Sequence, residues 1–244
     1  MAEGRLHPIT VATREIAEIF GRMGFGIEYG PELEDEWYNF TALNVPADHP
    51  ARDMQDTFWT KEGTPRAPRT HTTSVSIRCL EKMAKEGLDT YRAIAPAKVF
   101  RNEATDMTHE AQFYQLDGFA VGPVGTVTLA HLKGMFDQFY REYFGQETKV
   151  RFRPSFFPFT EPSVEVDMWF EAPGKEGRWL EMCGAGMLHP NVIKNAGLDP
   201  EKVAGYAFGG GLERLIMVKH GVPDVRLFHS GDTRFVYGFD QTVQ

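Results

Sequence analysis

Two stretches of alternating apolar and polar residues limit the folds open to this chain. In the first, Val150 and Phe152 alternate with Arg151 and Arg153, and a second such stretch covers residues 164–170. A period of two is typical of strands that bury one face. Helical patterns are interspersed with these strands, and the strands have hairpin-like spacing. We therefore predict an α+β fold in which helices flank a mostly antiparallel sheet.

Helices are predicted where apolar residues recur at three- and four-residue spacing. Segments 10–23, 71–85 and 129–143 follow this rule, and Thr126 or Thr128 would cap the third. The second would place His71 and Thr72 at its start, where free backbone N–H groups can hold an anion.

Residues 27–36 are expected to be a strand or extended chain that Gly30 and Pro31 interrupt. The chain that follows should be irregular through Pro46 and Pro50, because proline cannot donate a hydrogen bond to a sheet.

The composition fits one soluble domain over residues 1–244. Hydrophobic residues make up 42% and charged residues 25%, and no linker, repeat or low-complexity tract divides the chain. No apolar stretch approaches the roughly 20 residues that span a membrane. Residues 1–10 carry no secretory signal.

The cysteine content and the net charge indicate the cellular compartment and the mode of nucleic-acid binding. Cys79 and Cys183 lack the paired spacing of a zinc site or a disulfide framework, so we expect reduced, partly buried thiols in a cytoplasmic protein. A net charge of −8 argues against a chain that wraps nucleic acid by bulk electrostatics. Any contact with nucleic acid must be local or assisted by a partner.

Two arginines mark the predicted binding site. Arg101 follows an apolar strand and precedes a polar loop at 104–110, after which the chain resumes as a strand at 112–118. Arg214 follows the glycines at 209–211, a run expected to open a helix and to let the backbone pass close to a ligand. A guanidinium offers paired donors and keeps its charge, so two of them suggest a polyphosphate. The glycine pattern matches neither the P-loop nor the dinucleotide fingerprint, which argues against both nucleotide folds.

Further short polar and aromatic segments are spread along the chain. With the two arginine segments, they cover residues 4–10, 38–46, 49–53, 69–73, 99–103, 157–162 and 209–215. In this order they resemble the catalytic domain of the phenylalanyl-tRNA synthetase alpha subunit, a class II synthetase family, over about residues 7–235. The run of matches is specific, although each match alone is weak. The resemblance implies the class II catalytic fold with its mostly antiparallel sheet.

The resemblance also implies an activity. Such proteins use ATP and Mg²⁺ to convert phenylalanine into phenylalanyl adenylate and then transfer it to tRNA(Phe). The first step needs a carboxylate to attack the α-phosphorus while pyrophosphate departs. That reaction depends on positioning and charge stabilisation rather than on a protein nucleophile.

For ATP, the resemblance implies that Arg101 holds the α-phosphate. Arg214 would contact the γ-phosphate side and flank the adenine. Phe113 would be the ring on which adenine stacks, although its pattern alone fits a core residue equally well. Glu181 would lie near the ATP-bound magnesium, since this ion prefers oxygen ligands. The implied ATP-binding set is Arg101, Glu103, His109, Phe113, Glu181 and Arg214, with Glu181 as the metal ligand.

For the amino acid, an apolar slot must accept a phenyl ring. Phe157 and Phe159 supply an aromatic wall, and Ala207 is expected to leave room for the far edge of the ring. His71 alone fits a helix cap or the core better, but the family match makes it a site residue, counted as catalytic with the two arginines. The groups implied at the polar end of the substrate are Trp59, His71, Gln115 and Asp117.

Two features depart from the family pattern. Asp117 stands where bacterial relatives have glutamate in Gln-x-Glu-Gly, which shortens a carboxylate expected to bind the substrate ammonium. The match to the family's catalytic domain also starts within the first residues of the chain. Without the family's N-terminal helical arm, weak tRNA binding is expected.

The expected partners are phenylalanine, tRNA(Phe) and either a beta subunit or a second copy of the chain. Either protein partner would bind through residues 24–39, which match the motif 1 interface of the family. No membrane contact is expected. One alternative is a class II paralogue that activates another amino acid or acylates a non-tRNA acceptor. The other is a noncatalytic, partner-binding subunit, which the intact arginines and aromatic pocket disfavour.

Overall fold

The computed structural model describes residues 4–52, 57–61, 63–171 and 176–239, so Asp53 of the segment 49–53 lies outside it. Three short 3-10 turns, Thr41–Leu43, Pro50–Arg52 and Val225–Phe228, accompany the helices and strands of this part of the chain. In chain order, these elements are α1 (Pro8–Arg22), β1 (Gly26–Ile27), β2 (Leu33–Asp35), α2 (Glu36–Asn39), β3 (Arg66–Pro68), α3 (Thr73–Glu86), β4 (Tyr91–Phe100), β5 (Gln112–Pro123), α4 (Leu129–Phe144), β6 (Val150–Phe157), β7 (Thr160–Phe170), β8 (Arg178–Leu188), α5 (Pro190–Asn195), β9 (Val203–Gly211), α6 (Leu212–His220) and α7 (Thr233–Gly238).

Seven strands form one sheet in the order β1-β4-β5-β9-β8-β7-β6. The β1–β4 pair is parallel, and the other neighbours are antiparallel. Strands β2 and β3 form a separate antiparallel pair. The predicted α+β class with a mostly antiparallel sheet is therefore confirmed.

Apolar clusters cover both faces of the sheet. On one face, α1 and α4 contribute Phe20 and Phe139 to a cluster that includes Phe208 of β9. On the other face, α3 packs its buried apolar side against Phe119 of β5 and Ala207 of β9. Because successive side chains of a strand point to opposite faces, Gln115 and Asp117 lie on the α3 face together with Phe119.

The helix starts differ from their predicted positions for local reasons. Helix α1 begins at Pro8, because His7 Nδ1 accepts a hydrogen bond from Ile9 N at 3.2 Å. Helix α3 begins at Thr73, so His71 precedes it. Thr128 is the N-cap residue of α4 as expected, but its hydroxyl contacts His131 Nδ1 at 2.8 Å and caps no backbone amide.

The glycine run 209–211 leads directly into a helix, as predicted, and Gly211 is the N-cap residue of α6, but the run itself is part of a strand. It forms the end of β9, where Gly209 and Gly211 lie opposite Asp117 and Gln115 of β5, and α6 follows directly at Leu212. Cross-strand pairing, which the local sequence does not encode, decides this assignment.

The alternating segments are strands β6 and β7, as predicted. Asp167 of β7 is buried and accepts hydrogen bonds from Arg151 and Arg153 of β6 at 2.6 to 3.0 Å. Both cysteines are free thiols. Within the described ranges, no helix is both long and apolar enough to cross a membrane.

Candidate active site

A cavity of about 630 Å³ opens where β4 ends, beside β5, β8, β9 and the first turn of α6. Its lining is mixed, with charged side chains around a floor of strand backbone. All six residues of the predicted ATP set line it: Arg101, Glu103, His109, Phe113, Glu181 and Arg214. The structure thus brings together groups that are far apart in the sequence.

A hydrogen bond to the backbone anchors the Arg101 side chain. It follows the last residue of β4, and its Nε donates to the carbonyl of Thr70 at 3.1 Å. Its Cζ lies 5.2 Å from the centre of the Phe113 ring, within cation–π range. Anchored through Nε, the guanidinium has no hydrogen bond from its terminal nitrogens to any residue that the structure describes, so both can face an anion.

Arg214 lies in the first turn of α6 and is exposed. Its Nη1 donates to the backbone carbonyl of Glu181 at 2.8 Å, which ties α6 to β8. The Glu181 side chain is exposed, and its Oε2 lies 3.8 Å from Arg153 Nη2.

Glu181 is also the predicted metal ligand. No group of three or more His, Cys, Asp or Glu residues in the described chain is arranged to hold a metal ion. A single accessible carboxylate fits Mg²⁺, which usually takes one or two protein carboxylates and completes its shell with phosphate oxygens and water.

The other two predicted ATP residues, Glu103 and His109, are exposed in the loop between β4 and β5. His109 Nδ1 lies 3.0 Å from the carboxylate of Asp106, and Asp106 also accepts a hydrogen bond from the backbone of Thr108 at 2.7 Å. The imidazole is therefore oriented by its own loop.

Glu213 is a site residue that the sequence reasoning missed. It is buried, and both of its carboxylate oxygens accept from Tyr114 N, at 2.7 and 3.0 Å. This pair fixes the start of β5 beside Phe113. In the sequence, only the position of Glu213 next to Arg214 pointed to a place in the site.

Among the predicted amino-acid-binding residues, three acceptor atoms are buried without a hydrogen-bond partner in the described part of the chain. They are His71 Nδ1, Gln115 Oε1 and Asp117 Oδ1. His71 Nε2 lies 2.8 Å from the carbonyl of Asn39, so Nε2 carries the proton and Nδ1 is an acceptor. Buried acceptors without partners are unusual and call for an explanation such as a ligand with several donors.

The protonation states follow from burial. Burial, with the nearby Arg101 charge, lowers the pKa of His71 to about 4. Burial raises the pKa of Asp117 to about 6, although Thr73 Oγ1 donates to its Oδ2 at 2.6 Å and opposes the shift. At neutral pH, the site therefore holds an uncharged imidazole and an ionised carboxylate.

Two glycines make room for these side chains. A Cβ atom on Gly209 would lie 2.3 Å from Asp117 Oδ1, and a Cβ atom on Gly184 would lie 2.7 Å from the Phe157 ring. Neither contact is sterically possible without movement, so the bare backbone sets the positions of Asp117 and Phe157.

Phe157 and Phe159, the residues predicted to form an aromatic wall, contact each other. The rings of Phe157 and Phe159 are stacked, with centres 5.9 Å apart and planes 11° apart. Trp59 and Phe159 pack against the apolar cluster that contains Ala207. The indole N–H of Trp59 already donates to Arg52 O at 3.2 Å.

The two predicted sets are thus adjacent rather than merged. Of the amino-acid set, Gln115 lines the 630 Å³ cavity. The other six, Trp59, His71, Asp117, Phe157, Phe159 and Ala207, lie outside its lining. Gln115 and Gly184, which both line it, connect the two sets.

Comparison with known proteins gives the same assignment. Residues 1–239 match the family model for the tRNA synthetases class II core domain (F). The chain is 46% identical over 250 residues to the phenylalanine–tRNA ligase alpha subunit of Delftia acidovorans, covering 97% of this chain and 71% of that protein. It is 48% identical over 246 residues to the protein of the same name from Lysinibacillus sphaericus, covering 98% of this chain and 69% of that protein. The chain therefore belongs to the class II tRNA synthetase core domain (F) family, together with these phenylalanine–tRNA ligase alpha subunits.

Proposed function

We propose that this chain uses ATP to activate phenylalanine as phenylalanyl adenylate and transfers it to tRNA(Phe), as an alpha-type catalytic subunit. One observation carries the proposal. The cavity lined by Arg101, Phe113 and Arg214 adjoins the three unpaired buried acceptors and the stacked rings of Phe157 and Phe159. A polyphosphate site beside an ammonium site and an aromatic slot suits an aminoacyl adenylate.

At the nucleotide end of the site, two arginines hold the reacting polyphosphate. Arg101 contacts the α-phosphate with its terminal nitrogens and stabilises the charge that develops there during attack. Arg214 binds the γ-phosphate side, and adenine stacks on Phe113. Each charge-assisted contact contributes roughly 1.5 to 3 kcal/mol.

Glu181 is positioned to hold Mg²⁺ together with phosphate oxygens. When bound, that ion neutralises charge on the polyphosphate and the departing pyrophosphate. Glu103 and His109 complete the loop over the nucleotide.

At the amino-acid end of the site, contacts to the ammonium group and the phenyl ring orient the attacking carboxylate. The substrate ammonium donates to Gln115 Oε1, to Asp117 Oδ1 and to the neutral imidazole of His71 at Nδ1. Its phenyl ring lies against Phe157 and Phe159, with Ala207 at the far edge. Fixing both reactants beside each other supplies the main rate advantage.

We further propose that residues 24–39 dock a beta subunit. Strand β1 is an edge of the main sheet. Ile27, Tyr29, Leu33 and Trp37 are exposed, with Tyr29 at 74%. An open edge with exposed apolar side chains favours a protein partner over solvent. A second copy of the chain is the competing occupant, and sedimentation of the chain alone and with a beta subunit distinguishes the two.

We take residues 1–244 to act as one domain in the cytoplasm.

A second candidate function rests on Asp117. Its carboxylate is shorter than that of glutamate and is fixed by Thr73, and this departure from the family pattern is the observation behind activation of another amino acid.

The test is amino-acid-dependent exchange of pyrophosphate into ATP, with all twenty amino acids, with and without a beta subunit. The proposal expects exchange with phenylalanine and its loss in Arg101→Ala with the fold intact. Exchange with another amino acid would support the second candidate, and a folded chain without any exchange in either condition would reject both.

A further inference from the structure

A second cavity, of about 480 Å³, lies on the opposite face of the sheet from Gln115 and Asp117. Its floor is formed by Arg92, Ala120 and Tyr206, which are cross-strand neighbours on β4, β5 and β9. Its walls come from the end of α1 and the first half of α4. The nucleotide and amino-acid sites use none of these residues.

The guanidinium groups that line this cavity have no carboxylate beside them in its described lining. Its described lining contains two guanidinium groups, Arg22 and Arg92, and no carboxylate. Arg22 is paired with Glu142 at 2.6 Å, outside the lining. Arg92 has no carboxylate within 4.0 Å among the described residues, and its Nη1 makes one long hydrogen bond, of 3.5 Å, to Met23 O. Arg92 is exposed, and its guanidinium faces the cavity without a carboxylate partner among the described residues.

Tyr206 adds an unused donor. It is 4% exposed, and its hydroxyl makes no hydrogen bond with any residue that the structure describes. Burial raises the pKa of Tyr206 to about 12, while the Arg92 charge opposes the shift. The hydroxyl is protonated at neutral pH and can donate. The ring is buried, but the hydroxyl oxygen keeps access to the cavity, where a ligand can accept a hydrogen bond from it.

The wall from α4 carries two small residues, both of them exposed. Ala130 and Gly134, one turn apart, both line the cavity. A Cβ atom on Gly134 would meet no atom within 4 Å. Glycine weakens a helix interior, so the open space has a structural cost. The remaining wall is mixed: Met23, Phe25 and Met135 are apolar, whereas Thr126, His131 and Gln138 are polar.

We propose that this cavity binds a small organic anion, with a phosphate or carboxylate group against Arg92 and Tyr206 and an apolar part between α1 and α4. A guanidinium and a hydroxyl together recognise such a head group, and Met23, Phe25 and Met135 favour an organic anion over one without an apolar part. This site goes beyond the proposed function, since it lies on the other face of the sheet.

Calorimetric titration of the full chain with phenyl phosphate tests the proposal. Three variants probe the site: Arg92→Gln removes the charge, Tyr206→Phe removes the hydroxyl, and Gly134→Leu fills the space. Arg92→Gln should weaken binding about tenfold or more and Tyr206→Phe about three- to tenfold. Gly134→Leu should abolish binding. Thermal unfolding should confirm that all three fold, and phenylalanine-dependent exchange should be unchanged.

Arg101→Ala is the matched control for the first cavity, because it removes a phosphate ligand there and should leave this binding intact. Inorganic phosphate and benzoate then report which head group is preferred. Absence of phenyl phosphate binding at millimolar concentration would overturn the proposal. Unchanged affinity in any of the three variants, or loss of binding in Arg101→Ala, would do the same.

Discussion

The close approach of Gly209 to Asp117 gives the sharpest prediction. In Gly209→Ala the new Cβ would lie 2.3 Å from Asp117 Oδ1 and 2.9 Å from its Cγ. Non-bonded atoms pack best at about 3.5 to 4.0 Å, so the buried carboxylate must move by roughly 1 Å. A displacement of that size in a site can cost about 100-fold in rate. We expect kcat/KM for phenylalanine in the exchange reaction to fall about 100-fold, while KM for ATP changes little.

Gly211→Ala is the matched control in the same strand. Its Cβ would meet only Arg214 Cβ, at 3.9 Å, which is ordinary contact. Overpacking at Gly209 should lower the free energy of unfolding by about 1 to 3 kcal/mol, whereas the control should not. Equal kinetics in the two variants would refute the role given to Asp117.

The other predictions concern Arg101, Asp117 and Glu213. Arg101→Lys should retain the charge but lose the paired donors, and kcat/KM in exchange should fall at least tenfold with near-normal stability; wild-type rates would contradict this. Because the pKa of Asp117 is raised from 3.8 to about 6, the fold binds its proton more tightly than the unfolded chain, and stability falls as pH rises through that window. Asp117→Asn should therefore raise the free energy of unfolding by roughly 3 kcal/mol at pH 7.5 and by little at pH 4, measured in urea; equal gains at both pH values would count against this. Glu213→Gln should raise KM for ATP about three- to tenfold through the weakened Tyr114 contact, and an unchanged KM would exclude it.

Local patterns predicted the parts of the fold that depend on neighbouring residues. Strands β6 and β7 followed from alternation, and α1 and α4 followed from helical spacing. The helix after the glycine run at 209–211 was predicted, but the strand conformation of the run was not, because it depends on pairing with β5, almost a hundred residues earlier in the chain. Sequence spacing carries no information on such a register.

The same limit applies to the site. The arginines could be proposed from residue chemistry and resemblance, and the cavity contains both of them. Burial of Glu213 against Tyr114 and the contact of His71 with Asn39 depend on tertiary packing. The unpaired acceptors at Gln115 and Asp117 became visible only once their surroundings were known.

The most direct test of the central claim is a crystal structure of the chain with a non-hydrolysable phenylalanyl adenylate analogue. We expect the phosphate to contact the terminal nitrogens of Arg101, and the adenine to stack on Phe113. The ammonium should lie within hydrogen-bond distance of Gln115 Oε1 and Asp117 Oδ1. An analogue bound elsewhere, or an Arg101 guanidinium turned to solvent away from the phosphate, would contradict the account.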